Sequence, residues 1–351
     1  MSRSALGAPL TWGLPGFPHE PREPAVLREV PGALLTRVQR GPLRTIQVPT
    51  RWHRGAVYDA DLRLVPESQK IGGLGGNQAV QADPLQVRRA QARGVETLSG
   101  TWLYGGHWIG HFGHFATETV PTLWPERSAL GPVRGVLFHH YMSAGACPEE
   151  SWAPWQRTLL DLTGWGDLPV RVVAPESLGV ERLLVPSRPI VVNGWAHPEA
   201  ARVWARMTAA AGGATSLVAD GPRVYLSRTA FNDAERTAGR EARTTADRDR
   251  ALDAGFAALG FTVVAPETLP LLDQVRLVAG ASVIAGCAGT ALHLSAFAPP
   301  GVRVLELGDA RSPGEQVPMQ RVIDQVCGHP SAFVPHATDP ADLPALLADL
   351  G

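Results

Sequence analysis

The sequence predicts an α/β protein in two domains, with a parallel sheet toward its C-terminal end. Three observations carry this. Between Arg223 and Gly308, short apolar β-branched runs alternate with stretches of helical spacing, the pattern of strands joined by crossover helices. A similar alternation runs from Val133 to Ala211. Within Val283-Ile284-Ala285-Gly286-Cys287-Ala288-Gly289-Thr290-Ala291-Leu292-His293, the apolar run stops at Gly286, small residues follow, and helical spacing resumes. That is the form of a buried strand turning into a helix. At 351 residues, the chain is long enough for two domains or one large one.

In chain order, residues 1–24 are rich in Gly and Pro and read as an irregular arm, or one laid over another surface. Ala25–Val48 and Ala56–Val65 alternate apolar and polar residues, as short strands do. Gly72–Gly76 is a flexible break, and Glu96–Trp108 is strand-like up to Gly105-Gly106. From His114 the pattern is helical, which puts Glu118 one turn away on the same face. Val133–Phe138, Val170–Ala174 and Leu183–Pro186 read as strands, with a helix over Trp152–Leu162. Pro198–Ala211 is a helix with Pro in its first turn, and the Gly212-Gly213 connector marks a domain boundary. The expected domains are therefore 25–213 and 214–335.

In the C-terminal domain, strands are expected at Arg223–Arg228, Phe261–Val264, Ser282–Ala285 and Val302–Leu307. Helices are expected at Asp247–Leu259, Leu269–Ala279 and Leu292–Phe297, and Pro299-Pro300-Gly301 ends the last of them. The polar insert Thr229–Thr245 reads as a loop. The tail, 336–351, holds a short amphipathic helix expected to pack back on the first domain.

Composition excludes several classes. Acidic and basic residues differ by one charge, which argues against a nucleic-acid groove or a polybasic membrane anchor. Three scattered cysteines, Cys147, Cys287 and Cys327, have no C-x-x-C spacing, which points to a reducing compartment without a disulfide framework. No apolar segment approaches the roughly 20 residues needed to span a bilayer. The expected location is the cytoplasm, with work at the inner face of the cell membrane left open. Lys70 is the only lysine.

Ligands of parallel α/β sheets sit beyond the carboxyl ends of the strands. Ser227, Arg228, Gly286, Ala288, Gly289, Thr290 and Glu306 all fall at or near such ends. A helix start carries unpaired N–H groups and partial positive charge, so the glycine turn suits a phosphate or diphosphate; a plain strand-to-helix turn is the alternative.

The ordered set of motifs resembles glycosyltransferase family 61. It comprises Val224-Tyr225-Leu226-Ser227-Arg228, Gly260-Phe261 with Val263-Val264, Pro266-Glu267-Thr268-Leu269, and Asp273-Gln274. The Gly286–Leu292 turn follows, then Phe297-Ala298-Pro299-Pro300-Gly301 leading to Val304-Leu305-Glu306-Leu307. Upstream, Gly113-His114-Phe115 with Glu118 is similar to the family's His segment. The chain departs from the family at Cys287-Ala288, where many members have Pro-His, at Leu294, where Asn is common, and at Ala246-Asp247, where Asn-Glu is common.

The resemblance implies a GT-B-like fold of two Rossmann-like domains facing a cleft. It further implies inverting transfer from a nucleotide-sugar, a UDP-sugar first, to a glycan, glycolipid or other hydroxyl acceptor, with no obligatory metal and no other cofactor. Bacterial relatives are linked to capsule, lipopolysaccharide and other surface polysaccharides.

Such transfer needs a base at the acceptor hydroxyl and positive potential for the departing diphosphate. Arg228 and Arg243 are the candidates for the diphosphate, with the N–H groups around Gly289 and Thr290, because a guanidinium fork can donate twice to one phosphate. A surface salt bridge is the alternative for Arg228. Glu306 could accept from ribose hydroxyls or simply cap a helix, and His293 could touch the donor sugar. His114 and Glu118 are the candidates for the base, either His114 with Glu118 orienting it, or Glu118 with His114 on the sugar.

Rival readings are a zinc site from His107, His111 and His114, which the interleaved glycines disfavour, and a Cys287–His293 nucleophile. A non-catalytic nucleotide- or glycan-binding member of the same fold is also consistent with the departures. There is no P-loop and no G-x-S-x-G.

Overall fold

The computed structural model describes residues 10–21, 24–40, 53–54, 57–70, 80–81, 84–141, 146–173 and 176–350. The expected break at Gly72–Gly76 and the ends of several expected strands lie outside these residues. The chain divides into two compact units, one of residues 19–207 and one of residues 208–351 joined by the first 18. Both are α/β.

The N-terminal unit is built on a six-stranded mixed sheet. Its strands are β1 (Leu27–Leu35), β2 (Val57–Tyr58), β3 (Glu96–Trp108), β4 (Gly135–His140), β5 (Val170–Val173) and β6 (Leu178–Pro186), in spatial order β2-β1-β6-β3-β4-β5. From β6 to β5 the pairing is parallel, and β1 joins both β6 and β2 antiparallel. An all-parallel Rossmann half is thus not what forms here. The antiparallel part depends on the Leu27–Pro186 register, a pairing that local periodicity does not encode. Helices α1 (Pro84–Arg93), α2 (Pro154–Leu162) and α3 (Pro198–Ala210) accompany the sheet. Val30, Leu35, Tyr104, Leu137, Val180 and Leu183 form its buried centre.

The C-terminal unit has a five-stranded, all-parallel sheet. Its strands are β7 (Arg223–Leu226), β8 (Thr262–Val264), β9 (Val283–Cys287), β10 (Arg303–Leu307) and β11 (Ser331–Val334), in order β8-β7-β9-β10-β11. Every residue of β9 is buried, as expected of a strand covered on both faces. Counted from β7 the order is 2-1-3-4-5, a doubly wound arrangement whose direction of winding reverses between β7 and β9.

Helices α4 (Thr229–Thr237), α5 (Ala246–Ala258), α6 (Leu271–Ala279) and α7 (Pro318–Cys327) connect or follow the strands. Two expectations are corrected here. The insert after β7 is not a loop, because its first nine residues form α4 with Asn232 buried beneath it. The tail is built into its own unit: Leu343 and Leu347 join Tyr225, Leu252 and Phe256 in the core of the C-terminal unit.

The N-terminal arm belongs to this unit as well. Gly13 forms an antiparallel bridge with Ser331 on edge strand β11, Trp12 packs against the core, and Arg321 donates to the Gly16 carbonyl at 3.1 Å. An edge strand that would present unpaired backbone groups is thereby partly covered.

Candidate active site

Register decides what gathers at the reversal point of the C-terminal sheet. Leu226 of β7 pairs with Gly286 of β9, so the residues that follow each strand leave the sheet side by side. Arg228 Nη1 lies 3.4 Å from the Ala288 carbonyl oxygen. Gly289 has φ +128°, a conformation that side chains oppose. A Cβ there would lie 2.8 Å from Arg243 Nη1, 2.9 Å from Arg228 Nη1 and 3.6 Å from Arg311 Nη2. Three guanidinium groups therefore converge above one bare stretch of backbone.

One carboxylate serves this group. Asp309 is buried; its Oδ1 accepts the N–H groups of Arg311 and Ser312 at 2.9 and 3.1 Å. Its Oδ2 stands 3.8 Å from Arg243 and 3.7 Å from Arg311. Three cations against one anion leave an excess of about two positive charges. Burial, then Arg228 and Arg311, push the Arg243 guanidinium down to about 10. It stays charged at neutral pH in a setting that an incoming anion would relieve.

The other residues chosen from sequence fall into place around this cradle or away from it. Ser227 is buried, and its hydroxyl accepts the Thr229 N–H at 3.1 Å at the start of α4. Gly286 and Ala288 are buried in the turn, and the Ala288 N–H is already given to Leu307. Thr290 and His293 are half-buried just beyond Gly289. The expected helix after the turn, Leu292–Phe297, is a six-residue 3-10 helix. Guanidinium groups, more than a helix terminus, thus supply the positive potential.

Glu306 is a correction. It is wholly buried and accepts the Val317 N–H at 3.1 Å, capping α7. Burial drives its carboxyl well above the usual range, and its complete enclosure makes it an interior cap and not a ribose acceptor. Cys287 is also interior, and burial pushes its thiol up to about 11, the opposite of what a nucleophile needs.

In the N-terminal unit, the chain leaves β3 at Trp108 and enters a broken helix. Phe112–His114 is a single α-turn, Phe115–Thr119 a π-turn, and Val120–Leu123 a 3-10 turn ahead of the Pro-containing exit. Pro121 has no N–H to continue an α-ladder, and π-turns recur at functional sites. Side chains hold the segment in place: Thr119 donates to the His107 carbonyl at 2.6 Å, and Trp204 to that of Ala116 at 3.0 Å.

This geometry aims His114 and Glu118 at one another. His114 Nδ1 is hydrogen-bonded to Glu118 Oε1, and Lys70 Nζ is paired with Glu118 Oε2. The His114 side chain is 53% exposed and that of Glu118 is 2% exposed. Burial works against the Glu118 carboxylate, but Lys70 and His114 outweigh it and hold the group down at about 2. Burial pulls the Lys70 ammonium down while Glu118 pulls it back up. The pair is read as ionised, because each oxygen of Glu118 faces a donor. An ionised carboxylate only accepts, so Nδ1 carries a proton, and Nε2 is an acceptor whenever the imidazole is neutral.

His111 and His114 adjoin, but His107 is engaged elsewhere and the three do not form one metal-binding group. His107 is buried on β3 with Nδ1 against Arg188 Nη2, whose approach depends on Gly106 (φ +88°), and His111 caps the His114 N–H at 3.5 Å. Among the described residues, no group of three or more His, Cys, Asp or Glu is placed to hold a metal ion. The hydrolase reading built on these three histidines loses its basis.

Sequence reasoning missed Arg311, Asp309 and Lys70. The first two lie in the loop after β10, where the strand-end rule applied to Glu306 reaches them as well. Lys70 has no local signal, since its partner is 48 residues away.

The chain is thus an α/β protein with a doubly wound sheet, a cluster of guanidinium groups at that sheet's reversal point, and a histidine–carboxylate pair in its other unit. The chain belongs to glycosyltransferase family 61, whose model, described as Glycosyltransferase 61, matches residues 112–305, more than half of its length. It is a glycosyltransferase by family. The match takes in His114, Glu118 and the turn at Gly289, and ends before Asp309 and Arg311. No curated protein matches the chain. No helix among the described residues is long and apolar enough to cross a membrane.

Proposed function

We propose that the protein is an inverting glycosyltransferase that takes its sugar from a nucleoside-diphosphate donor, a UDP-sugar first. In the GT-B manner, the C-terminal unit takes the donor and the N-terminal unit the acceptor, a glycan or glycolipid. The observation that carries this reading is the convergence of Arg228, Arg243 and Arg311 over Gly289. An excess of about two positive charges matches a diphosphate. Thr290 follows Gly289 and the His293 N–H is given to the Gly289 carbonyl at 3.4 Å, and both are assigned to the donor's sugar end.

The acceptor oxygen forms a bond to the anomeric carbon as the bond from that carbon to the diphosphate oxygen breaks. The hydroxyl proton goes to His114 Nε2, and the nucleoside diphosphate leaves with the electron pair of the broken bond, its charge held by the guanidinium groups. Because arginines supply that charge, the reaction is written without a metal. Glu118 is too enclosed to meet an acceptor itself, so it is assigned to orienting His114 and balancing the imidazolium that forms. Bacterial surface-polysaccharide synthesis in the cytoplasm, beside the membrane, is the setting proposed.

The test is a thermal-shift screen with uridine, guanosine, cytidine and thymidine diphosphates. One of them is expected to raise Tm, and Arg228→Ala and Arg311→Ala to remove most of the rise. A flat response to all four would overturn the donor assignment. Binding by the wild type without turnover across donor–acceptor panels would favour the non-catalytic reading.

A further inference from the structure

The geometry points to Lys70 as a positioning residue for proton transfer, one that acts through Glu118 to keep His114 Nε2 unprotonated and able to accept. The inference rests on the reading of His114 as the base.

Three observations lead to it. Lys70 is the only lysine in the chain, lies outside the family match, and is buried. Burying an ammonium is costly, and the residue is nevertheless placed with Nζ on Glu118 Oε2. The other oxygen of the same carboxylate is on His114 Nδ1. The three groups form one chain of hydrogen bonds that runs from the interior to an exposed imidazole edge.

The charges around the chain show what Lys70 does. The groups facing it are Arg188, which lies near both Lys70 and Glu118, Tyr141, whose ring is 4.7 Å below Nζ, and His111, whose ring centroid is 5.0 Å from that of His114. None of these is another carboxylate, so among the described residues facing it Glu118 is the one anion. With Lys70 present its charge is balanced, and it needs only the Nδ1–H of a neutral imidazole. Remove the ammonium, and a buried carboxylate lacks its closest counter-charge. It is then relieved in one of two ways. His114 keeps a second proton and becomes the counter-ion, or Glu118 takes a proton and donates to Nδ1, which moves the imidazole proton to Nε2. Both routes end with a proton on Nε2.

The experiment is ¹⁵N NMR of labelled imidazoles at pH 8 on the full chain, with His114→Ala to assign the signal. This readout requires no substrate. In the wild type, His114 is expected as the neutral form protonated on Nδ1. Lys70→Arg is expected to keep that form, and Lys70→Met to reduce its ratio to the Nε2-protonated forms by about tenfold, the scale of losing one charge-assisted hydrogen bond.

A Lys70→Met protein with the wild-type signature would overturn the inference. So would a wild type protonated on Nε2, a result that holds even if Lys70→Met does not fold. The reading of His114 as base fails separately: His114→Ala that still releases nucleoside diphosphate onto an acceptor at the wild-type rate would sink it whatever the tautomer.

Discussion

Glu118 and Glu306 are both buried glutamates, and their neighbours drive them in opposite directions. For Glu306 burial comes first, with one backbone N–H and Gln316 working against it and two buried aspartates adding to it, and the carboxyl is driven up. Glu118 has Lys70 and His114 on its two oxygens, and these outweigh the same penalty. The sign of the linkage follows. A folded-state value of about 2 against the usual 4.5 means that the native state favours the ionised form. The stability Glu118 contributes is complete above about 4.5 and is lost as pH falls toward 2. Glu306 works the other way, favouring the fold while it is protonated. Urea midpoints followed from pH 7 down to 3 are expected to fall less steeply below pH 4.5 in Glu118→Gln than in the wild type. Parallel curves would show that the pairing with Lys70 and His114 does not hold the carboxylate. At neutral pH the same variant is expected to be the less stable, since Lys70 is left buried without its anion.

At the scale of elements, the arginine cradle depends on a polar clamp between α4 and α5. Asp249 is buried in α5 and takes hydrogen bonds from Asn232 at 3.1 and 3.2 Å, from Arg236 at 2.6 Å, and from Thr244. Arg236 also donates to the Thr244 carbonyl at 2.8 Å. Thr244 is next to Arg243, so the clamp fixes the loop that delivers one of the three guanidinium groups. Asp249→Ala is expected to lower Tm by several degrees, because it strands two donors from α4 and the Thr244 hydroxyl from the loop before α5. It is also expected to weaken the diphosphate-induced shift, although Asp249 touches no ligand. A variant that loses stability but keeps the full shift would show that Arg243 is placed without the clamp. The sequence concealed this element: Thr229–Thr245 is polar almost throughout, and its helix is stabilised by buried hydrogen bonds more than by an apolar stripe.

For the whole molecule, two units have separate cores, and the N-terminal arm packs with the C-terminal one. Gly13 gives its N–H to Ser331 at 3.2 Å and accepts the Ser331 N–H at 2.8 Å, while Arg303 sits over the Trp12 ring. Removing residues 1–18 exposes the edge of β11 and the apolar surface under Trp12. The trimmed protein is expected to self-associate, seen as a rising mass in light scattering at increasing concentration. A trimmed protein that stays at the mass of the full chain would assign the arm another purpose.

Much of the C-terminal unit was legible because its signals are local. A strand buried on both faces reads as an unbroken apolar run, as in Val283–Cys287, and its end announces itself with glycine. Arg228 and Gly289 were found in this way. The antiparallel β1, the docking of the tail and the interior fate of Glu306 were not, since each depends on a partner more than ten residues away along the chain.

By itself, then, the sequence determined the alternation of strands and helices, the parallel sheet and the family to which the chain belongs, because periodicity and motif order are properties of neighbours along the backbone. Only the tertiary structure decided which charges share a neighbourhood: Arg311 with Arg228 over Gly289, and Lys70 with His114 through Glu118. Electrostatic energy depends on distance in space, and sheet register, not chain order, sets that distance.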